Sequence, residues 1–141
     1  MKRILALLLI LTLAFASVQA VSAATAEQIS PQYVNTEDAQ VSLYISSAGK
    51  ATITVRCTGT DSMTSAQTTT YLERKDGASW VRVDNGEANN AWVYSTTSQT
   101  ISKTYSLSLT QTGQYRAVTI FKLTGDTVER ITRYSTATYG G

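Results

Sequence analysis

Few residues of this chain could do chemistry, and the absences narrow the field first. There is no histidine and a single cysteine, Cys57. Without an imidazole, Ser-His-Asp and Cys-His nucleophile systems are excluded, and most zinc sites with them. Ten acidic residues remain, and catalysis by paired carboxylates needs two of them facing each other across a cleft. Glu73, Asp76, Asp84, Glu87 and Asp126 instead fall where strands end or turn. The stretch DNGEANN at residues 84–90 offers oxygens of the kind calcium takes, without the regular spacing of a calcium loop. Asn85-Gly86 suits a turn with positive φ, so a solvated loop accounts for the composition. Catalytic residues, cofactor and metal are all expected to be none.

The aromatic residues are the more informative set. Eight tyrosines and two tryptophans stand among few other large apolar side chains. An exposed row of tyrosine and tryptophan can stack on sugar rings or anchor a protein partner. Tyr44, Tyr71, Tyr94, Tyr105 and Tyr134 lie on strand faces and are candidates for the outside of the sheets. Trp92, Tyr94 and Tyr44 are taken as the candidate ligand contacts, Trp92 because it adjoins the Asn-rich loop. Trp80 is expected to fill the core. Cys57, in ATITVRCTGT, shares a strand face with Ile53 and Val55 and is expected to be buried as a small hydrophobe.

Residues 1–23 have the layout of a secretory signal peptide: Lys2 and Arg3, an apolar run over residues 4–16 broken only by Thr12, then small residues suited to cleavage. The run is shorter than the ~20 residues a spanning helix needs. Cleavage after Ala23 removes two bases, and the remaining chain carries as many acids as bases. Its lysines and arginines are scattered singly or in pairs, so neither nucleic acid nor an anionic membrane is an expected partner. No lipobox cysteine, sorting motif or C-terminal apolar tail is apparent, and a released protein of Gram-positive bacterial origin is expected.

The elements that must position these side chains are strands. Residues 24–37 form a polar lead-in holding the only proline, Pro31. From there to residue 141 the alternation is of period two. Strands are expected over residues 41–45, 50–59, 68–75, 80–84, 92–94, 101–109, 115–123 and 127–134. Asp76-Gly77 closes a hairpin, and Thr124-Gly125-Asp126 forms a tight turn. About seven strands in one domain, with turns at this spacing, predict an all-β antiparallel sandwich.

Two stretches resemble a known family. In LTQTGQYRAVTIF, Leu109 and Tyr115 flank a turn with Gly113, similar to the tyrosine corner of immunoglobulin-like and fibronectin type III-like sandwiches. The resemblance implies that the Tyr115 hydroxyl bonds back to upstream backbone and that Tyr115 is structural. YLERKDGASWVRV, residues 71–83, is similar to the C–C′ hairpin of type III-like domains. Cys57 stands where the B-strand cysteine would be, but its F-strand counterpart is Ala117. The family carries no single activity. The expected function is a secreted, non-enzymatic binding or adhesion module for an extracellular protein or glycan. The alternative is a structural protein that self-associates through strand edges.

Overall fold

A computed structural model describes residues 33–141. The expected signal peptide and most of the expected lead-in lie outside the described residues. Eight strands follow in order: β1 (Thr36–Ile45), β2 (Lys50–Gly59), β3 (Ser65–Asp76), β4 (Ser79–Arg82), β5 (Trp92–Thr96), β6 (Thr100–Ser108), β7 (Gly113–Thr124) and β8 (Val128–Tyr139). They form a three-stranded sheet of order β1-β2-β6 and a five-stranded sheet of order β4-β3-β7-β8, with β5 also paired to β3. All paired strands are antiparallel. This is the expected all-β sandwich, compatible with an immunoglobulin-like or type III-like arrangement. No helix among the described residues is long and apolar enough to cross a membrane.

Alternation decides the core. On β2, Ala51, Ile53, Val55 and Cys57 point inward, and on β7 Tyr115, Ala117, Phe121 and Leu123 meet them. Leu72 and Ile131 complete the inner face of the larger sheet. Cys57 and Ala117 both lie on inner faces and are buried, so a second cysteine at Ala117 is not needed to fill the space.

The two long sides of the sandwich close differently. On one side β1 runs alongside β8, with Glu129 meeting Thr36, Arg133 Nε donating to the Ala39 carbonyl at 3.0 Å, and the Leu43 amide donating to Ser135 Oγ at 3.0 Å. These side-chain bonds use backbone groups that two strand edges would otherwise leave open. On the other side β5 faces β6 through a parallel stack of Trp92 on Tyr105, with centroids 4.9 Å apart and planes 10° apart.

The end of the lead-in is fastened. The Glu129 carboxylate accepts from the Val34 amide, from the Asn35 amide at 2.9 Å and from Thr36 Oγ1 at 2.9 Å. Asn35 is fully buried and donates through Nδ2 to the Thr127 carbonyl at 2.9 Å. Asn35 Oδ1 and the Ser62 carbonyl press against Gly125, where any Cβ would collide with both. The tight turn at Gly125 is therefore also a socket for the start of β1.

Burial raises the Glu129 carboxyl pKa, but the three donated hydrogen bonds outweigh it and hold the group below its ordinary value. A carboxylate with a depressed folded pKa contributes stability that is present above the unfolded value and lost as pH falls through the folded one. Glu129→Gln should cost about 1–2 kcal/mol at pH 7, typical of hydrogen bonds to a charged group. In thermal melts the gap between variant and parent should shrink below about pH 4, where both carry a neutral group. A gap constant with pH would count against an ionised clamp.

Candidate functional site

Two clusters are built around aromatic residues, and they lie on opposite faces of the larger sheet. The inner one holds the residues that the sequence pointed to. Trp92 and Tyr94 pair with Thr70 and Thr68 of β3, whose side chains are buried. Both aromatics thus turn toward the sandwich interior and are half-buried against the core. Trp92 stacks on Tyr105, and Lys103 of β6 lies 3.9 Å over the Tyr94 ring. Burial raises the Tyr105 pKa, and the neighbouring Tyr94 adds to the shift. These side chains seal the β5–β6 side. Tyr44 stands apart on the outer face of the smaller sheet, 68% exposed and surrounded in register by Thr52 and Ser106. The structure does not bring Tyr44 together with Trp92 and Tyr94.

The outer cluster was not foreseen as a unit. Trp80, placed in the core by the sequence reading, pairs with Lys75 and lies half-buried on the outer face of the larger sheet. The reason is parity. Lys75 is an odd-numbered residue of β3, and Thr68, Thr70 and Leu72 at even positions take the interior. Arg82 follows on the same face and lies 3.8 Å over the Tyr71 ring. The Arg116 guanidinium is 4.4 Å from Trp80 and 5.3 Å from Tyr134. Its Nε donates to Glu73 Oε2 at 2.5 Å, which orients the guanidinium between the two rings.

Beneath this layer sits Val118, paired with Tyr71 on one side and Tyr134 on the other. It is 1% exposed, yet it does not belong to the hydrophobic core. Val118 is thus sealed from the solvent side by the outer cluster. Tyr134 remains 59% exposed and Val93, further along the face, 60%. The period-two spacing of Tyr71, Glu73 and Lys75, and of Trp80 and Arg82, carried the signal for this face. It became readable only once the strand pairing was known.

The same register gathers charge. Lys75, Arg82, Arg116, Lys122 and Arg130 all fall on the outer face of the larger sheet, and Glu73 is the acid among them. The sequence reading found no basic patch because these bases come from four different strands. At the far end of the face a cavity of about 410 Å³ is lined by Gln67, Ser95, Thr97, Lys122 and Thr124. Its volume lies within the ~300–1,000 Å³ typical of small-molecule sites.

Other candidates resolve locally. The loop at residues 84–90 is built from two side-chain turns, Asp84 Oδ1 accepting from the Gly86 amide at 2.9 Å and Asn85 Oδ1 from the Glu87 amide at 3.0 Å. Arg82 ties it to the sheet by donating to the Asn89 carbonyl at 3.0 Å. Among the described residues no three His, Cys, Asp or Glu side chains gather as a metal would require. Ser47 and Lys50 have the spacing of a Ser-x-x-Lys nucleophile pair, but both are exposed at the β1–β2 turn and share no helix face. Tyr115 is buried, and its hydroxyl donates to the Gln111 carbonyl at 2.5 Å, with Leu109 buried beside the corner. Burial raises its pKa, with Arg74 opposing and Tyr139 adding to the shift.

No protein-family model, curated protein or solved structure matches this chain.

Two outcomes test the structural assignments. Tyr115→Phe removes one part-buried hydrogen bond to the Gln111 carbonyl, so urea unfolding should show a loss of about 1 kcal/mol. Burial, aided by Asp38, pushes the Cys57 thiol up to about 11. The native protein should therefore resist Ellman's reagent at pH 8 and react only after denaturation. Rapid reaction of the folded protein would place Cys57 at the surface.

Proposed function

We propose that this chain is a secreted, non-enzymatic binding module of the immunoglobulin-like or type III-like class. Its recognition surface is the outer face of the larger sheet, and its target is an extracellular glycan or protein. The leader-like N-terminus supports export. The lack of histidine supports binding over catalysis.

The observation that carries this reading is the layer formed by Tyr71, Trp80 and Tyr134 over Val118. An apolar residue on a solvent-facing sheet surface is sealed by aromatic rings and guanidinium planes, and one of those rings stays largely open. Holding long arginine side chains over rings costs rotamer entropy. Such an arrangement makes a rigid platform for a second flat surface. Trp92 and Tyr94 are spent on closing the sandwich, which removes them from the recognition surface.

Strand edges support binding over self-assembly as the main role. The β1 and β8 edges engage each other, and the edge strand β6 carries the inward-pointing Lys103. Inward charge on an edge strand opposes pairing with another chain.

An array of neutral and acidic polysaccharides, probed with labelled protein of residues 24–141, tests the surface. Tyr134→Ala should weaken any binding found by about 5-fold, the scale of one lost aromatic stack of ~1 kcal/mol. Tyr44→Ala should leave it unchanged. Binding that depends on Tyr44 and ignores Tyr134 would move the site to the smaller sheet.

A further inference from the structure

The outer face of the larger sheet can be laid out row by row from the strand register. The first row is Trp80 and Lys75. Next come Arg82, Glu73, Arg116 and Thr136 across four strands. Then follow Tyr71, Val118 and Tyr134, and after them Val93, Thr69, Ile120 and Thr132. The next row is Ser95, Gln67, Lys122 and Arg130, and the uncharged Ser65, Thr124 and Val128 close the face. Cations therefore lie toward both ends, on either side of a strip holding Tyr71, Tyr134 and Val93. The six residues from Arg116 to Lys122 set the two charged rows roughly 20 Å apart at ~3.3 Å per residue.

The charge is segregated, not merely present. Five bases and one acid share this face, although the chain beyond the leader is balanced. Glu73 is consumed by Arg116. Lys75, Arg82 and Arg130 are exposed, and Lys122 lies at the mouth of the cavity. That cavity offers hydroxyls from Ser95, Thr97 and Thr124 and an amide from Gln67, which donates to Ser95 Oγ at 3.2 Å. Hydroxyls, an amide and one ammonium can satisfy the hydroxyls and the carboxylate of a sugar acid. Exposed Tyr134 and Val93 present flat apolar surface to the carbon face of a ring.

We infer that this face binds a linear acidic glycan built of uronate sugars. One uronate residue sits in the cavity with its carboxylate on Lys122, the chain crosses the exposed Val93 and Tyr134, and further carboxylates meet Arg82 and Lys75. The inference rests on the proposed binding face and adds the ligand class. A purely acidic peptide would use the cations at either end, but it has no ring faces for the aromatic strip. A neutral glycan would leave both cationic rows unpaired.

The test is isothermal titration of the protein of residues 24–141 with polygalacturonate and with alginate. The controls are fully methyl-esterified polygalacturonate, which keeps the rings without charge, and poly-L-glutamate, which keeps charge without rings. At least one uronate polymer should bind. The ester and the polyglutamate should each bind at least 10-fold more weakly, and raising sodium chloride from 50 to 500 mM should weaken uronate binding. Lys122→Ala should reduce uronate affinity several-fold with melting temperature unchanged, and Tyr134→Ala should reduce it several-fold in protein that still unfolds cooperatively, whereas Lys50→Ala, on the other sheet, should not reduce it. Failure of both uronate polymers to bind overturns the inference, as does polyglutamate binding equally well. A neutral ligand lost on Tyr134→Ala but indifferent to Lys122→Ala would keep the face and reject the acidic glycan.

Discussion

The ten-residue antiparallel register between β3 and β7 is the constraint from which the rest follows. It sets Thr70 against Thr119 on the inside, their hydroxyls 3.0 Å apart in the buried interior, and Glu73 against Arg116 on the outside. A slip of one residue would exchange the two faces. Arg116 and Lys122 would then enter the core while Phe121 and Leu123 met water. Each charged side chain so buried without a partner would cost several kcal/mol. Hydrophobic burial and charge exclusion therefore select the same register, and that register assembles the aromatic and cationic outer face as a by-product of core formation. β4, β5 and β8 then attach to this pair, and their parity is inherited from it.

A domain of this size without an internal disulfide must close its sides by other means. The two closures divide the task by chemistry. The β1–β8 side uses a carboxylate that gathers three donors from the chain's entry point, reinforced by Arg133 and Ser135 on backbone groups of β1. The β5–β6 side uses aromatic stacking with a lysine above it. The first ties sequence-distant termini together and resists fraying at the N-terminal strand. The second covers β5, a five-residue strand paired along its length with β3. Cys57, packed between Ile101 and Ala39 in register, is free to act as an ordinary core residue.

Much of this was legible in the sequence, and the failures share one cause. Alternation located all eight strands, and β2 was placed at its observed bounds. The tyrosine corner at Tyr115 could be named from Leu109, Gly113 and the spacing, because a local hydrogen bond within five residues leaves a local trace. Period two, however, divides a strand into two faces without saying which is inside. Trp80-x-Arg82 and Trp92-x-Tyr94 look equally able to point either way. Pairing with Lys75 sends Trp80 out, and pairing with Thr70 brings Trp92 in. The basic face was illegible for the same reason. Its charges are far apart in sequence and become neighbours only through register.

Glu73 shows how the outer face is kept usable. A layer of cations over aromatic rings would repel itself if every charge were free, and flexible arginines would sample many rotamers. Glu73, nearly buried between β4 and β7, fixes Arg116 at one position between Trp80 and Tyr134. As a partly exposed ion pair it adds little stability of its own, on the order of 1 kcal/mol or less. Its value lies in orientation: with Arg116 held, Trp80 and Tyr134 share one rigid spacer and Val118 is sealed below them. Arg82 is immobilised separately, by Tyr71 on one side and the Asn89 carbonyl at the loop. Lys75 and Arg130 stay exposed toward the two ends, carrying charge that the fold has not already neutralised. Order in the middle of the face and unspent charge at its ends is the arrangement expected of a surface that takes an extended, charged, ring-bearing chain.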